Sequence, residues 1–291
     1  MQIEMTVPSC LHLGHVHANS PDNAMCELGI TLQHPQIQLV ARPATTLTVS
    51  GARAELAYQQ AQAVGLVENI EIETAIPAHM GLGSDDMLGA SMKRVYTTWH
   101  NSHTSFRMTL PQQAFAQGGL LLNDDDGLLQ SRAAIAHSRE DESWVFVLVL
   151  PKEPDDIADN FEAQQQRLLR KSTQHLSRSL TAQAVFDAIQ RDDFGGFATA
   201  LADIHTANEA ALAASGNSIT LTHEASDILT FMRANGAALA HQTLTGLGLY
   251  GLVKGGPASR NLRAALTQRL SYFGPLVMAT ICDNEGARIK R

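Results

Sequence analysis

The segment Pro77-Ala78-His79-Met80-Gly81-Leu82-Gly83-Ser84-Asp85-Asp86-Met87 crowds two glycines, a serine and two aspartates into one short stretch. Glycine lets the backbone come close to a bound group, and a serine at the head of a helix can cap its first N–H groups. Those N–H groups and the helix dipole favour negative charge. Gly81, Leu82, Gly83 and Ser84 are therefore candidates for holding a phosphate. Asp85 and Asp86 complicate that reading. They suit the first turn of a helix, yet they compete with a phosphate for the same positive end. A structural role, Mg2+ binding and exclusion of nucleotide all remain open for the pair.

Further along, Asp124-Asp125-Asp126-Gly127 offers carboxylate oxygens of the kind hard cations prefer, and equally reads as a solvated turn. His12, His15 and His17 invite a metal reading, but on a regular strand His15 and His17 share one face and His12 takes the other. His79 falls inside the glycine turn, where exposure is the expectation. Arg132, Lys152 and Lys254 are isolated cations that read as solvated surface residues. Cys10, Cys26 and Cys282 have no metal-ligand spacing and read as unpaired buried thiols.

The elements that must position these groups follow from periodicity. Residues 3–16 read as a strand broken at Pro8, with further strands at 27–32, 37–41 and 46–49. An Ala- and Gln-rich helix at 52–64 precedes the alternating strand 70–76, which feeds the glycine turn. A helix from Met87 to about Trp99 leaves the turn, followed by a loop at 101–104 and a second helix at 111–117. Residues 118–123 return to extended structure, and the apolar run Trp144–Leu150, closed by Pro151, reads as a buried strand. Helices are expected at 159–170, 181–191, 194–214, 224–234 and 258–269, with strands at 246–254 and 276–282. Strands first and helices later describe an α+β layout. The expected division is 1–142 and 143–291.

With 291 residues, 44% hydrophobic and 17% charged, the chain has the composition of a globular protein with room for full cores. A net charge of −8 argues against a nucleic-acid surface. No run of 18 apolar residues and no secretory leader is visible, so no membrane partner and a cytoplasmic location are expected.

The Pro-x-x-x-Gly-Leu-Gly-Ser turn between strand and helix resembles the phosphate loop of the GHMP superfamily. Within it the chain looks most similar to β-ribofuranosylaminobenzene 5′-phosphate synthase, an enzyme of tetrahydromethanopterin formation. Pro8-Ser9-Cys10-Leu11-His12-Leu13 resembles that family's Pro-x-Arg-Leu-His-Phe opening, and Glu27-Leu28-Gly29-Ile30 its Gly-Val-Gly-Leu strand. Phe115 to Asp124 resembles its Gly-Gly strand ending in aspartate. Trp144 to Pro151 matches its Trp-apolar-Pro strand, and Gln242-Thr243-Leu244-Thr245-Gly246 follows its late Gly-Gln-Ser-Ser-Trp-Gly-Pro loop. The departures are Cys10 in place of the family's arginine, no counterpart of its Arg-Gly-x-x-Arg-Ser-Gly-Ile-Gly segment, altered late-loop residues, and Asp85-Asp86 in a normally neutral turn.

The resemblance implies a GHMP-type fold, with an N-terminal mixed α/β domain, a C-terminal ferredoxin-like sandwich and the ligand cleft between them. It implies phosphate binding by residues 81–84 with Gln242 and Thr243, and catalytic roles for Asp124 and His12. A small substrate, either phosphoribosyl pyrophosphate or a nucleotide, usually with Mg2+, and a homodimer are also implied; Asp85 and Asp86 are the candidate Mg2+ ligands on their residue type alone. The reaction implied joins phosphoribosyl pyrophosphate to a 4-substituted benzoate with loss of pyrophosphate and carbon dioxide. The missing cationic groups raise a non-catalytic paralogue as the alternative, and an ATP-dependent small-molecule kinase of the same fold as another. The transferase reading requires the turn at 81–84 to stand open to an acidic ligand.

Overall fold

The computed structural model describes residues 2–18, 24–100, 108–136, 139–152, 157–158, 160–218, 222–271 and 274–291. The loop expected at 101–104 lies outside them. Two long antiparallel strands, β1 (Ile3–His17) and β2 (Met25–Arg42), pair from Ile3 opposite Ala41 to His17 opposite Met25. Pro8 does not end β1. A shift of register between Val7 and Ser9 takes up the residue that has no N–H to give to the ladder. The strands expected separately at 27–32 and 37–41 are likewise one continuous β2.

Strand β3 (Thr48–Gly51), helix α1 (Ala54–Ala63) and strand β4 (Asn69–Thr74) form a parallel crossover, and β4 also pairs with the far half of β2. The glycine turn then leads into helix α2 (Ser84–His100), followed by α3 (Leu110–Gln117). Strand β5 (Leu120–Asp124) pairs with the near half of β2 and with β6 (Leu129–Ala133), which the sequence did not announce.

Strand β7 (Trp144–Leu150) opens a second sheet. Helices α4 (Phe161–Ser172), α5 (Gln183–Gln190), α6 (Phe194–Ala214) and α7 (His223–Ala234) precede β8 (Leu239–Gln242) and β9 (Leu249–Lys254). Helix α8 (Gly256–Arg269) leads to β10 (Leu276–Ile281), and a short β11 (Arg288–Lys290) returns to pair with β1. The order β10-β7-β9-β8, antiparallel throughout, is the ferredoxin-like arrangement. The protein is thus a mixed α/β molecule with two sheets.

The apolar run of β7 serves both faces of its sheet. Trp144, Phe146, Leu148 and Leu150 join the large core shared with β1 and β2, while Val145, Val147 and Val149 pack with α7 and α8. Helix α6 presses on β1, where Ile204 and Leu201 enter the same large core. No helix among the described residues is long and apolar enough to cross a membrane.

Candidate functional site

The glycine turn is a buried joint. Gly81 and Gly83 hold φ of 72° and 69°, values that favour glycine. A Cβ on Gly81 would stand 2.5 Å from Thr243 Oγ1, and one on Gly246 would overlap the backbone at Gly81 and Met80. The late loop of the sequence motif therefore lies directly across the turn. Thr243 donates its hydroxyl to Met80 O at 2.9 Å, and Leu247 N donates to His79 O at 2.8 Å. Leu82 O accepts from Cys10 N at 3.0 Å, which ties the turn to β1 as well. His79, expected to be exposed, is buried beneath this loop.

The amide of Gly81 already has an anionic partner. It donates to Glu162 Oε1 at 2.7 Å from the first turn of α4. Burial, followed by the nearby Asp85 and Asp86, pushes the Glu162 carboxyl up to about 7, against the lowering effects of the Gly81 amide and Arg53. The Gly81 amide of the expected phosphate turn is thus occupied from within the chain. The turn's inward N–H is satisfied by a carboxylate of the chain, and its floor is packed by Thr243 and Gly246.

Ser84 begins α2 as its first residue, and Gly83 O takes the first helical bond from Met87 N at 3.0 Å. The serine hydroxyl donates to Asp85 Oδ1 at 3.0 Å. Asp85 is held by Arg53, Nη1 to Oδ1 at 2.8 Å, and so stands as an ion-paired surface residue. Asp86 faces a cavity. Burial, then Asp85 and Glu27, raise its carboxyl above the ordinary range.

That cavity, of about 320 Å3, lies beside the start of α2 and is lined by Glu27, Asp86, Asp124, Asp125, Arg167 and Arg170 among others. Asp124 lines it but is also the keystone of its own turn. Its Oδ1 accepts from Asp126 N at 2.9 Å and Leu128 N at 2.8 Å, and its Oδ2 from Gln130 Nε2 at 2.5 Å. Arg170 reaches Glu27 Oε1 at 3.1 Å and Asp125 Oδ1 at 3.5 Å. Gln242 lies elsewhere, giving its amide to Gly246 O at 3.0 Å and lining a separate apolar cavity with Ile228, Leu249 and Leu270. Structure thus gathers Gly81 and Thr243 at one joint, and Asp86 and Asp124 around one cavity.

His12 does not reach the cavity; it lies buried behind Glu27. A register shift between His12 and Gly14 changes the alternation of β1, so His12 and His15 fall on the same side with ring centroids 5.1 Å apart. The expectation that they face opposite ways is corrected by this bulge. Gly14 adopts φ of 137°, and a Cβ there would meet Ile204 and Asn208 of α6. Asn208 grips the bulge, its Oδ1 accepting from His15 N and its Nδ2 donating to His15 O, both at 2.9 Å. Burial, then His15, lower His12 to about 4, which leaves its ring neutral near pH 7. Burial pushes Glu27 up, but His15, His12 and Arg170 outweigh it and hold that carboxyl at about 2.

Sequence reasoning missed Glu162, Arg167, Arg170 and the role of Glu27. The two arginines belong to an amphipathic helix that reads as solvated surface, and only the packing of α4 against α6 brings them to the cavity. Glu27 had a signal, since it stands where the resembling family carries glycine and lies opposite His15 in the ladder.

No family model matches the sequence, and no curated protein matches it. Solved structures do. The homoserine kinase of Cytophaga hutchinsonii is 13% identical, with 99% of this chain and 97% of that chain covered at a TM-score of 0.61. A 4-(cytidine 5′-diphospho)-2C-methyl-D-erythritol kinase is 16% identical, with 96% and 99% covered at 0.62. The mevalonate pyrophosphate decarboxylase of Streptococcus pyogenes is 13% identical, with 98% and 97% covered at 0.64. Over its whole length, this chain has the two-sheet fold of the GHMP-type small-molecule kinases and decarboxylases.

Proposed function

We propose that this chain is a diverged relative of β-ribofuranosylaminobenzene 5′-phosphate synthase. It binds phosphoribosyl pyrophosphate, as its Mg2+ complex, in the cavity beside the start of α2. The observation that carries this reading is the lining of that cavity, where Arg167 and Arg170 stand among Glu27, Asp86, Asp124 and Asp125. Arginine forks suit diphosphate oxygens. Mg2+ is commonly held by one or two carboxylates together with substrate phosphates, so it needs no prebuilt protein cage. Asp86 fits that role best, because its carboxyl is crowded by Asp85 and Glu27 and a cation would relieve the crowding. A bound cation would neutralise diphosphate charge there. Arg167 and Arg170 would orient the diphosphate, and Asp124 would keep the cavity rim in place.

The alternative, an ATP-dependent small-molecule kinase, is favoured by the likeness to solved kinases and would need Glu162 to leave the Gly81 amide. A second reading, that condensation with loss of carbon dioxide is retained, places the diphosphate in this cavity instead of the glycine turn, and is favoured by the carboxylate of Glu27 in the cavity wall, held at about 2 and so ionised near pH 7. The homodimer implied by resemblance belongs to the same proposal, and light scattering at micromolar concentration tests it.

Calorimetry separates these readings. Phosphoribosyl pyrophosphate should bind only with Mg2+ present, and ATP should give no heat. ATP binding in preference to phosphoribosyl pyrophosphate would contradict the proposal. Carbon dioxide release from a carboxyl-labelled 4-aminobenzoate then decides between a binding protein and an active synthase.

A further inference from the structure

We propose that His12, His15 and Glu27 form a binding site for one divalent transition-metal ion of the Zn2+ class, built by the bulge in β1 and bordering the cavity through Glu27. One ligand atom from each of the three residues lies within 4.8 Å of the other two, and among the described residues no other group of His, Cys, Asp or Glu comes together in this way. His12 and His15 are buried, and among the described residues none of their four ring nitrogens finds a hydrogen-bond partner. The nearest approach to one is His15 Nε2 to Glu27 Oε1 at 3.6 Å, longer than a hydrogen bond.

Four buried nitrogens without partners carry a large desolvation cost, and native proteins rarely leave such groups unsatisfied. A metal ion would give each ring a partner at once. Two imidazoles and one carboxylate suit zinc, iron, cobalt or nickel, whereas magnesium and calcium prefer oxygen alone. Three protein ligands leave coordination positions open for water or a ligand from the cavity. The bulge is held in place rather than incidental, because Asn208 fixes both backbone groups of His15. Access is through Glu27, the one member of the three that borders the cavity. Arg170 shares Glu27 Oε1, so metal entry requires Arg170 to release that oxygen and keep its contact with Asp125.

This site does not depend on the proposed ligand. The test uses the full chain, stripped with a chelator and titrated with Co2+ while visible absorption is followed, then with Zn2+ in competition. One equivalent of Co2+ should give intense ligand-field bands of a four- or five-coordinate site, and one equivalent of Zn2+ should abolish them. Glu27→Gln preserves shape at a partly exposed position and should weaken Co2+ binding about 100-fold or more, given the 10- to 100-fold typical for outer-shell changes alone. His15→Asn should do the same, and His175→Ala, an exposed histidine elsewhere, should change nothing. Circular dichroism and a thermal melt check that each variant is folded. Weak, octahedral-type absorption in the wild type, or full affinity in folded Glu27→Gln, overturns the proposal. Failure of phosphoribosyl pyrophosphate to bind leaves these readouts untouched.

Discussion

Replacing Glu162 by glutamine tests what occupies the glycine turn. The amide of Gly81 donates to Glu162 Oε1 at 2.7 Å, and the glutamine carbonyl can accept the same bond without charge. The native carboxyl is pushed from 4.5 up to about 7 by burial and by Asp85 and Asp86. A carboxyl raised on folding binds more protons in the native state, so its ionisation opposes folding as pH rises from about 4.5 through 7. A shift of that size corresponds to an upper bound of about 3 kcal/mol, and solvent at the partly exposed edge lowers the expected effect to roughly 1–3 kcal/mol. Glu162→Gln should therefore match the wild type at pH 4.5 and exceed it by this amount at pH 8. Urea denaturation at the two pH values measures the difference. A variant less stable than wild type at pH 8, or an offset independent of pH, would refute the assignment of a strained carboxylate to this turn.

Other changes follow from the same contacts. Gly246→Ala puts a methyl into the backbone at Gly81 and should cost at least about 2 kcal/mol in urea midpoint-derived stability, whereas tolerance would mean that the joint between late loop and turn is loose. Asn208→Ala strips both bonds from the His15 backbone in the bulge and should cost about 2–3 kcal/mol, together with weaker Co2+ binding. Arg170→Gln removes a cation from the cavity but frees Glu27. It should weaken phosphoribosyl pyrophosphate binding in calorimetry and tighten Co2+ binding, and movement of both in the same direction would contradict the geometry.

Much of the framework was written in local patterns. The alternation of Asn69–Thr74, the apolar run Trp144–Leu150 and the amphipathic helices of the second half give their own periods, and the structure places elements there. Pro8 and Gly14 misled for one physical reason. Pairing resumes after each irregularity, with one residue of β1 left out beside Gly14 and residues 33–36 of β2 left out opposite Pro8, and whether a strand breaks or continues depends on what packs behind it. Here Asn208, 193 residues away, holds the bulge beside Gly14. The glycine turn shows a related limit. Glycines that permit close approach of a phosphate equally permit close approach of Thr243 and Gly246, and nothing local separates the two. Glu162, Arg167 and Arg170 reach their places only through the packing of α4, so their part in the site had no local signature.

The proposed anion site is the cavity beside α2 and not the glycine turn. The most direct measurement is a crystal structure of the full chain grown with Mg2+ and phosphoribosyl pyrophosphate. It should show the diphosphate against Arg167 and Arg170, with Gly81 N still bonded to Glu162. A diphosphate seated on residues 81–84 with Glu162 displaced would contradict the account.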